Sequence, residues 1–248
     1  MAVDTPDGTA LVTGAARRLG RTIALDLAQS GWLVGVHYHA SETEALALVD
    51  EIEAMGGRAK ALRANLGRFE DLLPLVEACR RELGPPTCLI NNAALFEWDS
   101  AECCDEEGWD THLDVNLRAP VFLTQAFAKT LPEGGTGNVI NLIDQKVWNL
   151  NPDYFSYTIA KSALWTATQT LAQALAPRIR VNAIAPGPVL PYRGQSEAEF
   201  DAECRATLLK RAVSPEDVTS AVRFLLATPS ITGQMIALDG GRHLVRDL

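Results

Sequence analysis

Short apolar runs alternate with longer amphipathic stretches along the whole chain. The short runs lie at residues 9–13, 32–38, 59–64, 87–91, 138–143, 179–184 and 234–238. Their length and their bounding turn residues predict buried strands. The longer stretches lie at 18–29, 42–55, 69–83, about 110–130, 154–175, 196–210 and 215–226, and predict helices. In the second of these, Ala45, Leu48, Val49 and Ile52 share one stripe, as a helix packed on one face requires. Stops stand where they should: Ser30-Gly31, Gly56-Gly57, Gly84-Pro85-Pro86, Pro132 to Gly135, and Pro177. This βαβ rhythm predicts one doubly wound α/β domain over residues 1–248, a parallel sheet of about seven strands with helices on both faces. Right-handed crossovers leave few other topologies. The loop at 186–195 is rich in Pro and Gly and follows a strand's carboxyl end. It is therefore placed to cover a ligand.

Composition narrows the partners. At 248 residues with a net charge of −9, the chain is a poor match for nucleic acid or an anionic membrane surface. No apolar run reaches the length that spans a bilayer. Residues 1–8 lack the basic and apolar regions of a signal peptide. The five cysteines are odd in number and form no CxxC. Neither a disulfide frame nor a metal site is expected, and a reduced cytoplasmic setting follows.

Three residues carry the candidate chemistry. Tyr157 and Lys161 are four apart in a predicted helix, so they share a face. Asp144 ends the apolar run Val139 to Ile143, and open α/β sheets bind ligands at that end of their strands. A second cluster joins the first strand to the first helix: Thr13-Gly14-Ala15-Ala16-Arg17-Arg18-Leu19-Gly20. Gly14 permits a tight turn, Gly20 permits close helix–strand packing, and the helix start offers N–H groups to a pyrophosphate. Arg17 and Arg18 add two cations beside it, with Arg18 standing where the usual fingerprint has its middle glycine. The second strand ends in His37-Tyr38-His39-Ala40-Ser41, with no carboxylate before Glu42. An acid there would bind the ribose 2′-OH of NAD. Imidazoles and a hydroxyl suit a 2′-phosphate instead, so NADPH is favoured over NADH.

Taken in order, these segments resemble the short-chain dehydrogenase/reductase family over nearly the whole chain. The matching elements are the 13–20 turn, Asn91-Asn92-Ala93-Ala94, Asn116, Tyr157 with Lys161, Arg180-Val181-Asn182 with Pro186-Gly187, and the stretch from Ile231 to Gly241. The fold implied is Rossmann-type. A narrower resemblance is to the pteridine reductase and dihydromonapterin reductase group. It is carried by Thr13 to Arg21, by His37 to Ser41, by Asp144 in place of the family's usual serine, and by Phe96 after the Asn-Asn-Ala-Ala segment. Ala40, Asn65 and Pro191 depart from the pattern.

The resemblance implies a catalytic set of Asp144, Tyr157, Lys161 and Asn116, with Asn116 holding a water that links Lys161 to solvent. It implies cofactor contacts at Gly14, Arg17, Arg18, Leu19, Gly20, His37, His39, Ser41, Asn65, Leu66, Asn92, Ala93, Tyr157, Lys161, Pro186, Gly187 and Val189. Substrate contacts are expected from Phe96, Arg18, Asp144 and Trp148. Lys161 and an oxidised nicotinamide are expected to lower the Tyr157 pKa from its usual value of about 10. Hydride transfer to a pterin-like C=N bond suits Asp144, since a carboxyl can donate to a ring nitrogen. A generic carbonyl or 3-oxoacyl reductase, and a non-catalytic dinucleotide-binding sensor, are the alternatives. The family likeness implies a homotetramer, with the tail from Arg242 to Leu248 reaching a neighbour's pocket.

Overall fold

A computed structural model describes residues 8–245. The leading segment and the last three tail residues, on which two expectations fell, lie outside it. Seven strands form one parallel sheet in the order β3-β2-β1-β4-β5-β6-β7. They are β1 (Thr9–Val12), β2 (Leu33–Tyr38), β3 (Arg58–Arg63), β4 (Cys88–Asn91), β5 (Gly137–Leu142), β6 (Ile179–Pro186) and β7 (Met235–Leu238). Helices α1 (Arg18–Gln29), α2 (Glu42–Ala54) and α8 (Pro215–Ala227) supply Ile23, Leu27, Leu48, Ile52, Val222 and Leu225 to one buried cluster. On the other, α3 (Phe69–Leu83) and α5 (Ala119–Thr130) bring Leu72, Val76, Leu123 and Phe127 against Leu11, Leu89 and Val139. Each such side chain contributes about 1.5–3 kcal/mol when fully buried. Strand order reverses between β1 and β4, and the crevice of an open α/β sheet opens there.

The expected long helix at 110–130 differs in detail. It starts earlier, as α4 (Glu106–Leu113), where the Asp105 carboxylate caps Gly108 N–H at 2.8 Å. A π-helical turn, Asp114–Arg118, then precedes α5. Pro120 has no N–H to offer the Asn116 carbonyl four residues back, and a widened turn accommodates that. The helix expected at 196–210 stops early, as α7 (Glu197–Arg205). A Ser196–Glu199 capping box starts it. The Thr207 hydroxyl ends it by donating to the Cys204 carbonyl at 2.9 Å. Of the catalytic candidates, Tyr157 and Lys161 sit on α6 (Phe155–Leu175), Asn116 in the π-helical turn and Asp144 at the β5 exit. Among the described residues, no helix is long and apolar enough to cross a membrane. The five cysteines are free.

The β1–α1 turn is stapled to the β4 exit. Thr13 Oγ1 accepts from Asn92 N–H (2.9 Å) and Ala93 N–H (3.0 Å), and Asn92 Nδ2 donates to the Thr13 carbonyl at 2.8 Å. Gly20 is pressed into this staple. A Cβ built there would lie 2.5 Å from Asn92 Nδ2 and overlap the Gly14 carbonyl oxygen. We expect Gly20→Ala to cost about 1–3 kcal/mol as an overpacking change. Urea unfolding should show that loss, with NADPH affinity falling in the same variant.

Candidate active site

The cleft encloses about 1160 Å³, above the roughly 300–1,000 Å³ of ordinary small-molecule sites. Its floor is the carboxyl edge of β1, β4, β5 and β6. The β1–α1 turn forms the phosphate end. Gly14 has φ +63°, a conformation that L side chains rarely adopt. Arg17 occupies the α1 N-cap without a side-chain hydrogen bond, so no side chain covers the helix start that would meet a pyrophosphate. Gly14, Arg17, Arg18, Leu19, Gly20, His39, Ser41, Asn65, Leu66, Asn92, Ala93, Pro186, Gly187 and Val189 all line the cleft.

His37 lines it too but has no ring nitrogen to spare. Its Nδ1 accepts from Gly14 N–H at 3.0 Å, leaving Nε2–H for the Ala64 carbonyl at 3.3 Å. Burial lowers its pKa to about 4, so the ring is neutral. It braces the turn and is no donor to a 2′-phosphate, contrary to the expectation. Arg18 also differs. Its guanidinium donates to the Leu190 and Pro191 carbonyls at 3.2 and 2.7 Å, tying the 186–195 loop to the phosphate turn. Arg17 lies 3.6 Å from Glu44, both well exposed. Asn65 Oδ1 accepts from Gly67 N–H at 2.9 Å, which leaves the amide nitrogen for the cleft.

At the other end, Tyr157 donates its hydroxyl to Asp144 Oδ2 at 2.9 Å, and Lys146 N–H donates to Asp144 Oδ1 at 2.8 Å. Lys161 Nζ donates to the Leu142 carbonyl at 2.7 Å and is almost wholly buried. Phenol, carboxyl and ammonium thus converge from α6 and the β5 exit. Burial pushes the Asp144 carboxyl up from the usual carboxylate range. Burial, with Asp144 beside it, pushes the Tyr157 phenol well above its ordinary value. The expected lowering by Lys161 is overridden, and the phenol keeps its proton. Desolvation brings Lys161 down to about 8.

Asn116 is fully buried, and its side chain is spent on Leu95. Oδ1 accepts from Leu95 N–H and Nδ2 donates to the Leu95 carbonyl, both at 2.9 Å. Trp148 does not line the cleft. Its ring packs on His243 at 5.2 Å, and it is substantially exposed. In the described part of the tail, Asn149 Nδ2 donates to the Arg242 carbonyl at 3.4 Å, and Arg242 lines the cleft.

Phe96 is not a lone wall. Tyr154 stacks on it at 4.1 Å and 9°, and Tyr157 and Tyr192 meet it edge-on at 4.7 and 5.5 Å. Lys146 Nζ sits 5.1 Å over the Tyr154 ring. The sequence reading missed Tyr154, Tyr192 and Lys146. Only their nearness in sequence to Tyr157, Asp144 and the Pro-rich loop signalled them.

A family model described as enoyl-(acyl carrier protein) reductase matches residues 14–243. The chain belongs to the short-chain dehydrogenase/reductase family. It is 46% identical to FolM alternative dihydrofolate reductase 1 from Brucella canis, solved in complex with NADP, with TM-score 0.95 over 98% of this chain and 97% of that one. An oxidoreductase of Methylorubrum extorquens is 36% identical over 94% of this chain and 96% of its own. A 3-oxoacyl-[acyl-carrier-protein] reductase of Staphylococcus epidermidis is 32% identical over 95% and 99%. The protein is an oxidoreductase of this family.

Lys161 is cationic below its pKa and neutral above it. Reductive kcat/KM is therefore expected to fall as pH rises through about 8, with a slope of one for a single group. A flat pH profile between 7 and 9.5 would contradict this.

Proposed function

We propose that this chain reduces a flat heterocycle of the dihydropterin class, using NADPH to saturate a ring C=N bond. One observation carries it. An acid at the β5 exit, Asp144, accepts the catalytic phenol's hydrogen bond, and the Phe96 ring stands 4.7 Å from that same phenol. A pterin offers both partners at once, a flat face for the ring and a basic nitrogen for the acid. The likeness to FolM, whose solved form holds NADP, supports the reading.

The donor set at the cleft fits a phosphorylated dinucleotide. Arg17, His39 and Ser41 line the β2 end. The nearest carboxylates are engaged, Glu42 by the Tyr38 hydroxyl at 3.0 Å and Glu44 by Arg17. The bound nicotinamide supplies the hydride. Everything else falls to the chain. Lys161 places a buried positive charge beneath the site. Tyr157 keeps its proton and holds it against Asp144. Asp144, whose raised affinity lets it take a proton from solvent, passes that proton to the ring nitrogen, and the Tyr157 hydroxyl steadies the carboxylate left behind.

A carbonyl reductase reading is favoured by one observation, the 3-oxoacyl reductase among the relatives. That chemistry needs only the phenol and the ammonium. A panel of dihydrobiopterin, dihydrofolate and small ketones separates the two. Asp144→Ser is expected to lower dihydropterin turnover about 100-fold, the scale of general acid catalysis, with NADPH Kd unchanged. Unchanged turnover would remove the dihydropterin reading.

The proposal extends to a reduced, cytoplasmic compartment and to a homotetramer. The outer faces of α5 and α6 carry an apolar groove lined by Val121, Phe122, Leu171 and Leu175, which a second copy would cover. Light scattering is expected to return four times the 26.8 kDa chain mass.

A further inference from the structure

We propose that His112 is a positioning residue that holds the Phe96 ring at its angle to the Tyr157 phenol. The inference rests on the reading that a flat substrate lies against Phe96.

His112 lies on α4, four residues before Asn116 and away from the cleft lining, and is almost wholly buried. Its Nε2 accepts from Glu97 N–H at 3.3 Å, so Nδ1 carries the ring proton and donates to Ser156 Oγ at 2.6 Å. Asn116 grips both backbone groups of Leu95. Phe96 is therefore flanked by two clamps, one on each neighbouring residue, both from the same helical segment. The π-helical turn begins between the clamps and sets their relative rotation.

The other end of the link reaches the catalytic helix. Ser156 directly precedes Tyr157, and its N–H donates to both Asp99 carboxylate oxygens at 3.2 Å. The Asp99 carbonyl accepts from Tyr154 N–H at 2.9 Å and Phe155 N–H at 3.4 Å. Tyr154 itself adopts φ +58° at the α6 N-cap and supplies no side-chain cap. The start of α6 is thus capped by the loop that carries Phe96. Asp99 ties that loop to the helix, and His112 fixes the tie on both sides. The imidazole is suited to this work because it accepts and donates at opposite ring edges.

A double-mutant cycle between His112→Phe and Phe96→Ala tests this. His112→Phe alone is expected to raise KM for dihydrobiopterin about tenfold, the scale of one lost buried hydrogen bond. Its kcat should stay within about threefold and NADPH Kd should not move. In the Phe96→Ala background, the same change should leave KM within about twofold. Effects that multiply in full, or a fall in kcat at unchanged KM, overturn the proposal. His112→Gln keeps one acceptor and one donor and should restore KM to within about threefold. If His112→Phe does not fold, Ser156→Ala breaks the same link from the other side.

Failure of the dihydropterin reading shows in the unmutated enzyme, as no NADPH oxidation with dihydrobiopterin. The cycle is then run with a ketone that it reduces. Independently of substrate, hydrogen exchange over residues 95–99 should quicken about tenfold or more in His112→Phe while the β1–α1 turn stays unchanged. Unaltered exchange at 95–99 overturns the proposal as surely.

Discussion

The staple between Thr13 and Asn92 is the interaction on which the cleft depends. One hydroxyl accepts two backbone N–H groups of the β4 exit, and one amide returns a donor to the β1 exit. These strands are neighbours only because the sheet order reverses between them. Without the staple, the phosphate turn and the loop bearing Phe96 would leave the sheet independently. Buried polar groups make such links rigid because leaving either partner unpaired costs about 1–3 kcal/mol. A second relay lies deeper: Asn91 Nδ2 donates to Asn141 Oδ1, and Asn141 Nδ2 to Thr168 Oγ1. It binds β4 to β5 and β5 to α6, so the catalytic helix is referenced to the same floor.

Burial decides where the protons sit. Tyr157, Asp144 and Lys161 are all withdrawn from water, and in each case loss of solvation disfavours the charged form. The phenol and the carboxyl gain affinity for protons while the ammonium loses it. Proton affinity is thereby raised at the β5 exit, while Lys161, brought down to about 8, can change its charge near neutral pH.

Much of this was legible in the sequence. The strand and helix succession follows from apolar runs of fixed length, and Gly14 and Gly20 follow from turn geometry. The juncture of Asp144, Tyr157 and Lys161 was readable because strand ends and helix faces are set by local periods. Partner choice was not readable. His37 looked like a phosphate donor, but burial and two backbone contacts consumed both nitrogens. Trp148 stood close to Asp144 in sequence, yet the short 3₁₀ turn Gln145–Val147 carries it outward onto His243. Nothing in the pattern marked His112, since one histidine in a helix reads as packing. The π-helical turn was hidden because Pro120 signals a disturbance without saying which form it takes.

Arg18 sits with φ +54° in the phosphate turn while its guanidinium grips the Leu190 and Pro191 carbonyls. The strap over the substrate end is therefore fastened from the dinucleotide end. One exposed side chain thus joins the two halves of the cleft, and whatever displaces it loosens both.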